Sequence, residues 1–173
     1  ASPTLITDAL KQRLKDVYTL PFVNAAAWFI PRQTLEKIGG FDPLFSHYGE
    51  DDNFCQRLRF HGVKLGLVTD CFVRHDRAER DRTRPDMFSE QELKAFERKL
   101  KIRYADPSNR FFPEEYDIEI ANFSKWSNRS RIKMNSESAK GYKRKADIMK
   151  SLKQSISESR SRTGSVGPHY LDI

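Results

Sequence analysis

Gly39-Gly40-Phe41-Asp42-Pro43, followed by Tyr48-Gly49-Glu50-Asp51-Asp52, is the stretch on which the fold reading turns. Upstream of it, Pro31 to Ile38 reads as a short helix, since proline is pre-set for a helix start and paired glycines suit a helix end. Downstream, a second helix begins near Glu50 and ends at Gly62, with Phe54, Cys55 and Leu58 as its apolar side. Three consecutive carboxylates at that start have a plain structural explanation. First-turn amides and the helix dipole stabilise acids there by ~0.3–1 kcal/mol each.

Working outward, Thr7 is placed to cap a helix that opens at Asp8 and runs through Leu14 toward Tyr18, until Pro21 stops it. Phe22 to Ile30, apolar with Ala25, Ala26 and Ala27 at its centre, reads as a buried strand. Val63 to Val73 is β-prone around a break at Thr69-Asp70. Residues 88–104 form an amphipathic helix, with Ser89 as N-cap, Glu92 completing a capping box, and Leu93, Phe96, Leu100 and Ile102 at packing positions. Alternating helices and strands predict an α/β class. Asn109 to Trp126 mixes aromatics with acids and docks on the core or on a partner. From Ser127 to Ser165 serine and basic residues dominate, which predicts a largely disordered tail with at most a transient helix over Lys140 to Leu152. The expected organisation is a domain over 1–104, an aromatic and acidic extension over 105–126 and a flexible basic tail over 127–173.

The chain has 173 residues and a formal charge of +7. Residues 1–124 hold 19 Lys/Arg against 20 Asp/Glu, whereas 125–165 hold 12 against 3. The excess therefore lies in the tail, which lacks the interleaved aromatics of a single-strand-binding surface; specific nucleic-acid binding is not expected. No apolar run approaches the ~20 residues of a membrane helix, and the first residues lack a signal-peptide layout. Two cysteines, Cys55 and Cys71, are too few for a disulfide framework or a cysteine zinc site. Both read as buried structural residues in a reduced, cytoplasmic setting. Helical periodicity begins almost at Ala1, with no methionine, so an upstream portion is expected.

From Asn24 to His75, the order of an apolar aromatic segment, short helix, Gly-Gly-Phe-Asp, loop, Glu-Asp and Arg57-Leu58 resembles the acceptor-binding half of the family-2 glycosyltransferases. It is also similar to the carboxyl-terminal part of the β-1,4-galactosyltransferases. The resemblance implies the C-terminal half of a GT-A-like domain, with Asp51 as the catalytic base of an inverting transfer. Glu50 would help bind the acceptor sugar, with Asp52 and Gly40 beside it, and Trp28 and Tyr48 would offer stacking faces or simply pack in the core. Arg57 would secure the helix by pairing with a carboxylate.

His75 would ligate a divalent cation, Mn2+ or Mg2+, beside the donor diphosphate; imidazole suits manganese. Arg74, Arg77, Arg80 and Arg82 either contact phosphate or form a solvated basic loop. Complete enzymes of this kind carry an Asp-x-Asp in an upstream nucleotide-binding half. None precedes Asn24, and Asp70, Asp81 and Asp117-x-Glu119 lie downstream of the base. That half is expected in cis or in trans. The implied function is transfer of a sugar from a nucleotide-diphosphate donor to a carbohydrate hydroxyl in surface polysaccharide synthesis. An alternative is a non-catalytic interaction module whose basic tail binds acidic partners or makes peripheral contact with a membrane.

Overall fold

The protein is described by a computed structural model over residues 3–46, 48–74 and 86–171. Its first helix, α1, spans Pro3–Leu10. Thr7 lies inside this helix, donating its hydroxyl to the Pro3 carbonyl at 2.9 Å, so it is not the expected cap. The chain turns after Leu10, with Gln12 at a left-handed φ of 52°, and the expected continuation toward Tyr18 is instead a strand, β1 (Val17–Thr19). Flanking β-branched residues favour the extended form there. Buried Tyr18 anchors it by donating its hydroxyl to Asp8 at 2.7 Å.

β1 pairs antiparallel with β2 (Gly66–Val68), Tyr18 lying opposite Leu67. The expected strand over Phe22 to Ile30 is corrected: these residues carry no ladder and run as irregular chain, with Val23, Ala25, Trp28 and Ile30 half-buried. Among the described residues β1 and β2 pair only with each other.

α2 (Arg32–Ile38) and α3 (Glu50–Phe60) follow the glycine and acid signals. Ile38, Phe54 and Leu58 bury together, and Trp28, Ile30, Leu35, Val63 and Leu65 close around them. α4 (Glu90–Tyr104) begins at Ser89, whose hydroxyl accepts from the Glu92 amide. α5 (Glu114–Ile132) and α6 (Ser136–Thr163) form an antiparallel hairpin packed on α4. Leu100, Tyr104, Tyr116, Met149 and Ile156 make a second core.

The disordered tail is therefore also corrected. Ala139, Ala146, Met149, Ile156 and Thr163 recur on one stripe of α6 and are buried, as expected for a helix packed along its length. The fold is mixed α/β and mostly helical, with six helices and one two-stranded sheet among the described residues.

Long-range bonds lock the two cores together. Ser159 on α6 donates to Asp42 Oδ2 at 2.5 Å, and Gln56 on α3 donates to the Ile102 carbonyl at 3.1 Å. After α6 the chain lies against the double glycine, where the Gly40 amide donates to the His169 carbonyl at 2.7 Å. A side chain at Gly39, whose φ is 81°, would put its Cβ 2.2 Å from that same oxygen. Asp42 and the glycines thus have packing roles of their own.

Candidate functional site

The acid-rich helix start is set by Gly49. It takes a left-handed φ of 98°, and a Cβ there would meet Ile102 and Phe45 at 3.1 Å. No side chain caps α3, so its acids Glu50, Asp51 and Asp52 stand in the first turn, where exposed amides favour them. Asp51 is half-buried, and its Oδ1 accepts from the Asp52 amide at 2.9 Å. That bond fixes the carboxylate and leaves Oδ2 without a partner among the described residues. Burial pushes the Asp52 carboxyl above its ordinary range, the charges of Asp51 and Glu50 push it further, and Arg98 opposes them.

Arg57 knits the preceding motif to this helix. Fully buried, it donates to the Ile38 carbonyl at 2.9 Å and the Gly40 carbonyl at 2.6 Å. The expected carboxylate pair is thus replaced by backbone carbonyls at the end of α2, which carry the negative end of the helix dipole. Burial lowers its pKa, while the nearby Asp42 and Tyr170 act the other way.

Trp28 stacks on Phe41 with ring centroids 6.2 Å apart and tilts against Phe54 at 5.5 Å. Trp28 and Phe54 border an apolar cleft of about 620 Å³ that Leu58, Leu65, Val68 and Cys71 help to line. Cys71 is exposed, contrary to expectation, whereas Cys55 is buried. Tyr48 lines a different cleft, of about 730 Å³, together with Phe45, Ser46 and charged residues of α4. There the Arg98 guanidinium sits 5.6 Å from the Tyr48 ring centroid.

Asp51 lines neither cleft, although the chain on either side of it lines one each. The fold therefore brings Gly40, Trp28, Glu50, Asp51 and Asp52 to the surroundings of α3 and separates the two proposed stacking faces. His75 lies outside the described residues, as do Arg77, Arg80, Asp81 and Arg82; Arg74 is exposed.

Sequence reading did not single out Asn53, Gln56 or Arg98. Asn53 is fully buried with neither amide atom bonded, and Glu50 Oε2, Gln56 Oε1, Arg57 Nε and Trp28 Nε1 are also buried without a partner. Two further atoms of this kind, among the described residues, lie elsewhere. Buried polar atoms are ordinarily satisfied, so their concentration around α3 marks it as the place where the chain is least self-sufficient. Helical spacing from Glu50 could have flagged Asn53, but only packing reveals that its amide goes unmet.

Of the downstream acids, Asp117 and Glu119 are engaged in ion pairs, and Asp81 lies outside the described residues. Asp117 accepts from Lys153 at 2.7 Å, and Glu119 pairs with Arg103 at 2.9 Å. Among the described residues no three His, Cys, Asp or Glu side chains gather so as to hold a metal ion. No helix among them is long and apolar enough to cross a membrane. The chain matches no family model, no curated protein and no solved structure.

Proposed function

We propose that this chain is the acceptor side of an inverting glycosyltransferase, moving a sugar from a nucleotide-diphosphate donor to a carbohydrate hydroxyl during polysaccharide assembly in the cytoplasm. The observation that carries the proposal is the concentration of unmet buried polar atoms around α3, at the helix whose first turn presents Asp51. Support also comes from the way Arg57 ties Gly40 to this helix, so that the separate parts of the Gly-Gly-Phe-Asp and Glu-Asp pattern form one unit.

In the proposed reaction Asp51 Oδ2 takes the proton of the acceptor hydroxyl. The hydroxyl oxygen attacks the donor's anomeric carbon from the face opposite the diphosphate. The bond from that carbon to phosphate oxygen breaks with its electron pair, releasing the nucleoside diphosphate and inverting the carbon. A carboxylate is placed well for this when one oxygen is held and the other is free. Glu50 and the Asn53 amide are the neighbouring groups suited to hydroxyls of the acceptor ring, and either Trp28 or Tyr48, which line separate clefts, to an apolar sugar face.

The described side chains do not by themselves form a cation site. The Mn2+ or Mg2+ implied by the resemblance would draw on His75 and on carboxylates of the nucleotide-binding half, supplied in cis or in trans. It would offset charge on the departing phosphates.

The test is transfer by the full-length protein from a panel of nucleotide sugars. Asp51→Asn should lower kcat by about 10²–10⁴-fold with unchanged circular dichroism, the range for losing a general base. Glu50→Gln should act mainly on KM. Full activity of Asp51→Asn sinks the assignment. A second reading, a non-catalytic module, is favoured by the charge on the α5–α6 hairpin. Binding of an acidic partner that falls steeply with salt, with no response to nucleotide sugar or manganese, would select it.

A further inference from the structure

Residues 125–145, the end of α5, the turn and the start of α6, hold eight Lys/Arg and one Asp/Glu. The remaining 23 Lys/Arg and 23 Asp/Glu balance, so the whole formal charge of +7 belongs to one end of the hairpin. Three of the eight cations are engaged. Lys143 pairs with Asp147, Arg144 with Glu90, and Lys145 lies over the rings of Phe88, Phe96 and Phe123. Lys125, Arg129, Arg131, Lys133 and Lys140 are exposed, with no carboxylate partner among the described residues.

Charge alone would fit several partners. The apex adds a second feature: Ile132 is 82% and Met134 94% exposed, at the very turn the cations surround. Met134 has a left-handed φ of 54°, which an unbranched side chain adopts only at some energetic expense. The turn is nevertheless well defined. The Lys133, Met134 and Asn135 amides donate to the Arg129, Arg131 and Ser130 carbonyls, and Asn135 caps α6 by accepting from the Ser138 amide at 3.0 Å. Trp126 is 41% exposed and borders a hollow of about 250 Å³ with Arg129, Lys133 and Tyr142. An ordered tip with two apolar side chains at its apex, cations around them and a tryptophan behind suits the boundary between anionic headgroups and acyl chains. Phosphates of a nucleic acid would engage the cations but offer nothing to Ile132 and Met134.

We infer that the α5–α6 hairpin tip is a membrane-contacting device that inserts Ile132 and Met134 into a bilayer surface while Lys125, Arg129, Arg131, Lys133 and Lys140 engage anionic lipid headgroups. Contact is peripheral, and it does not depend on the sugar chemistry proposed above. Were both to hold, the tip would bring the transferase to acceptors carried at a membrane.

The experiment is flotation of the full chain with vesicles of phosphatidylcholine alone or with about one third phosphatidylglycerol, enough to give an anionic surface. The chain should float with the anionic vesicles and not with the neutral ones. Arg131→Gln with Lys133→Gln should weaken binding roughly 25-fold at low salt, about fivefold per cation. Ile132→Ser with Met134→Ser, which keeps every charge, should weaken it about tenfold or more through loss of apolar insertion. These side chains are exposed, so each variant should retain the wild-type melting temperature. Failure to float with anionic vesicles overturns the proposal. So does wild-type flotation of the Ile132→Ser, Met134→Ser variant. Tighter binding to a short RNA, lost with the cations but indifferent to the two apolar residues, would assign the tip to nucleic acid instead.

Discussion

Asp52 shows how a helix start divides three similar acids. Its neighbour Asp51 is bonded to the chain and Glu50 has one buried oxygen unmet, whereas Asp52 is half-buried beside both, with Arg98 as the opposing charge. Burial first, then those two charges, hold its carboxyl above the ordinary 3.8. Between the ordinary value and the folded one, the folded chain keeps a proton that the unfolded chain has released. Stability contributed by Asp52 is therefore greatest at acid pH and falls as pH rises through that window, then levels off. A carboxyl-carbon NMR titration should place the Asp52 midpoint above 3.8, and Arg98→Met should raise it further. A midpoint at or below 3.8, or one insensitive to Arg98, would contradict this account. The register of the motif was legible because acids and glycines have local reasons to sit where they do. How far each acid is buried, and which charge opposes it, was not, because that depends on packing and on Arg98 of α4.

At the scale of elements, α6 is the instructive case. Its composition reads as solvated, yet Ala139, Ala146, Met149, Ile156 and Thr163 fall on one stripe, and the small residues among them let α5 and α4 approach. Ser127 donates to the Ala139 carbonyl and Tyr116 to the Met149 carbonyl, both at buried sites. Gly141 is the sharpest point of contact. A Cβ there would lie 2.2 Å from the Phe88 ring, which packs edge-on against Tyr142. Alanine is intrinsically the better helix former by ~1 kcal/mol. Gly141→Ala should nonetheless destabilise by about 1–3 kcal/mol, since the ring must move out of a packed site. Urea unfolding measures this, and a stabilised variant would show that Phe88 does not pack on α6 as described.

For the whole molecule, the hairpin is what gives the helical core its second wall. Ending the chain at Trp126 removes Met149 and Ile156 from contact with Leu100, Tyr104 and Tyr116. Each such loss is worth about 2–5 kcal/mol when a large side chain is truncated in a core, and total stabilities are only about 5–15 kcal/mol. It also removes Arg160, which donates to the carbonyls of Tyr104, Asp106 and Asn109, and the Ser159 bond to Asp42. The shortened chain should therefore lack a cooperative thermal transition and near-ultraviolet circular dichroism. A sharp transition close to that of the full chain would mean that residues 127–173 are an appendage after all.

Short-range chemistry alone was sufficient for α2, α3 and α4: Gly39 and Gly40 stop one helix, the acid run opens the next, and Ser89 caps the third. Each of those signals acts within a few residues, so it survives in the bare order of amino acids. Phe22 to Ile30 and α6 went the other way. Apolar character along the first could not supply a neighbouring strand, and serine-rich polarity along the second concealed a narrow apolar stripe. Tertiary contacts decided both, as they decided that Arg57 answers carbonyls rather than a carboxylate and that Asp42 answers Ser159. Hydrogen-bond partners 17 to 117 residues away in the chain leave no local trace, because what selects them is burial of the group and the need to satisfy it.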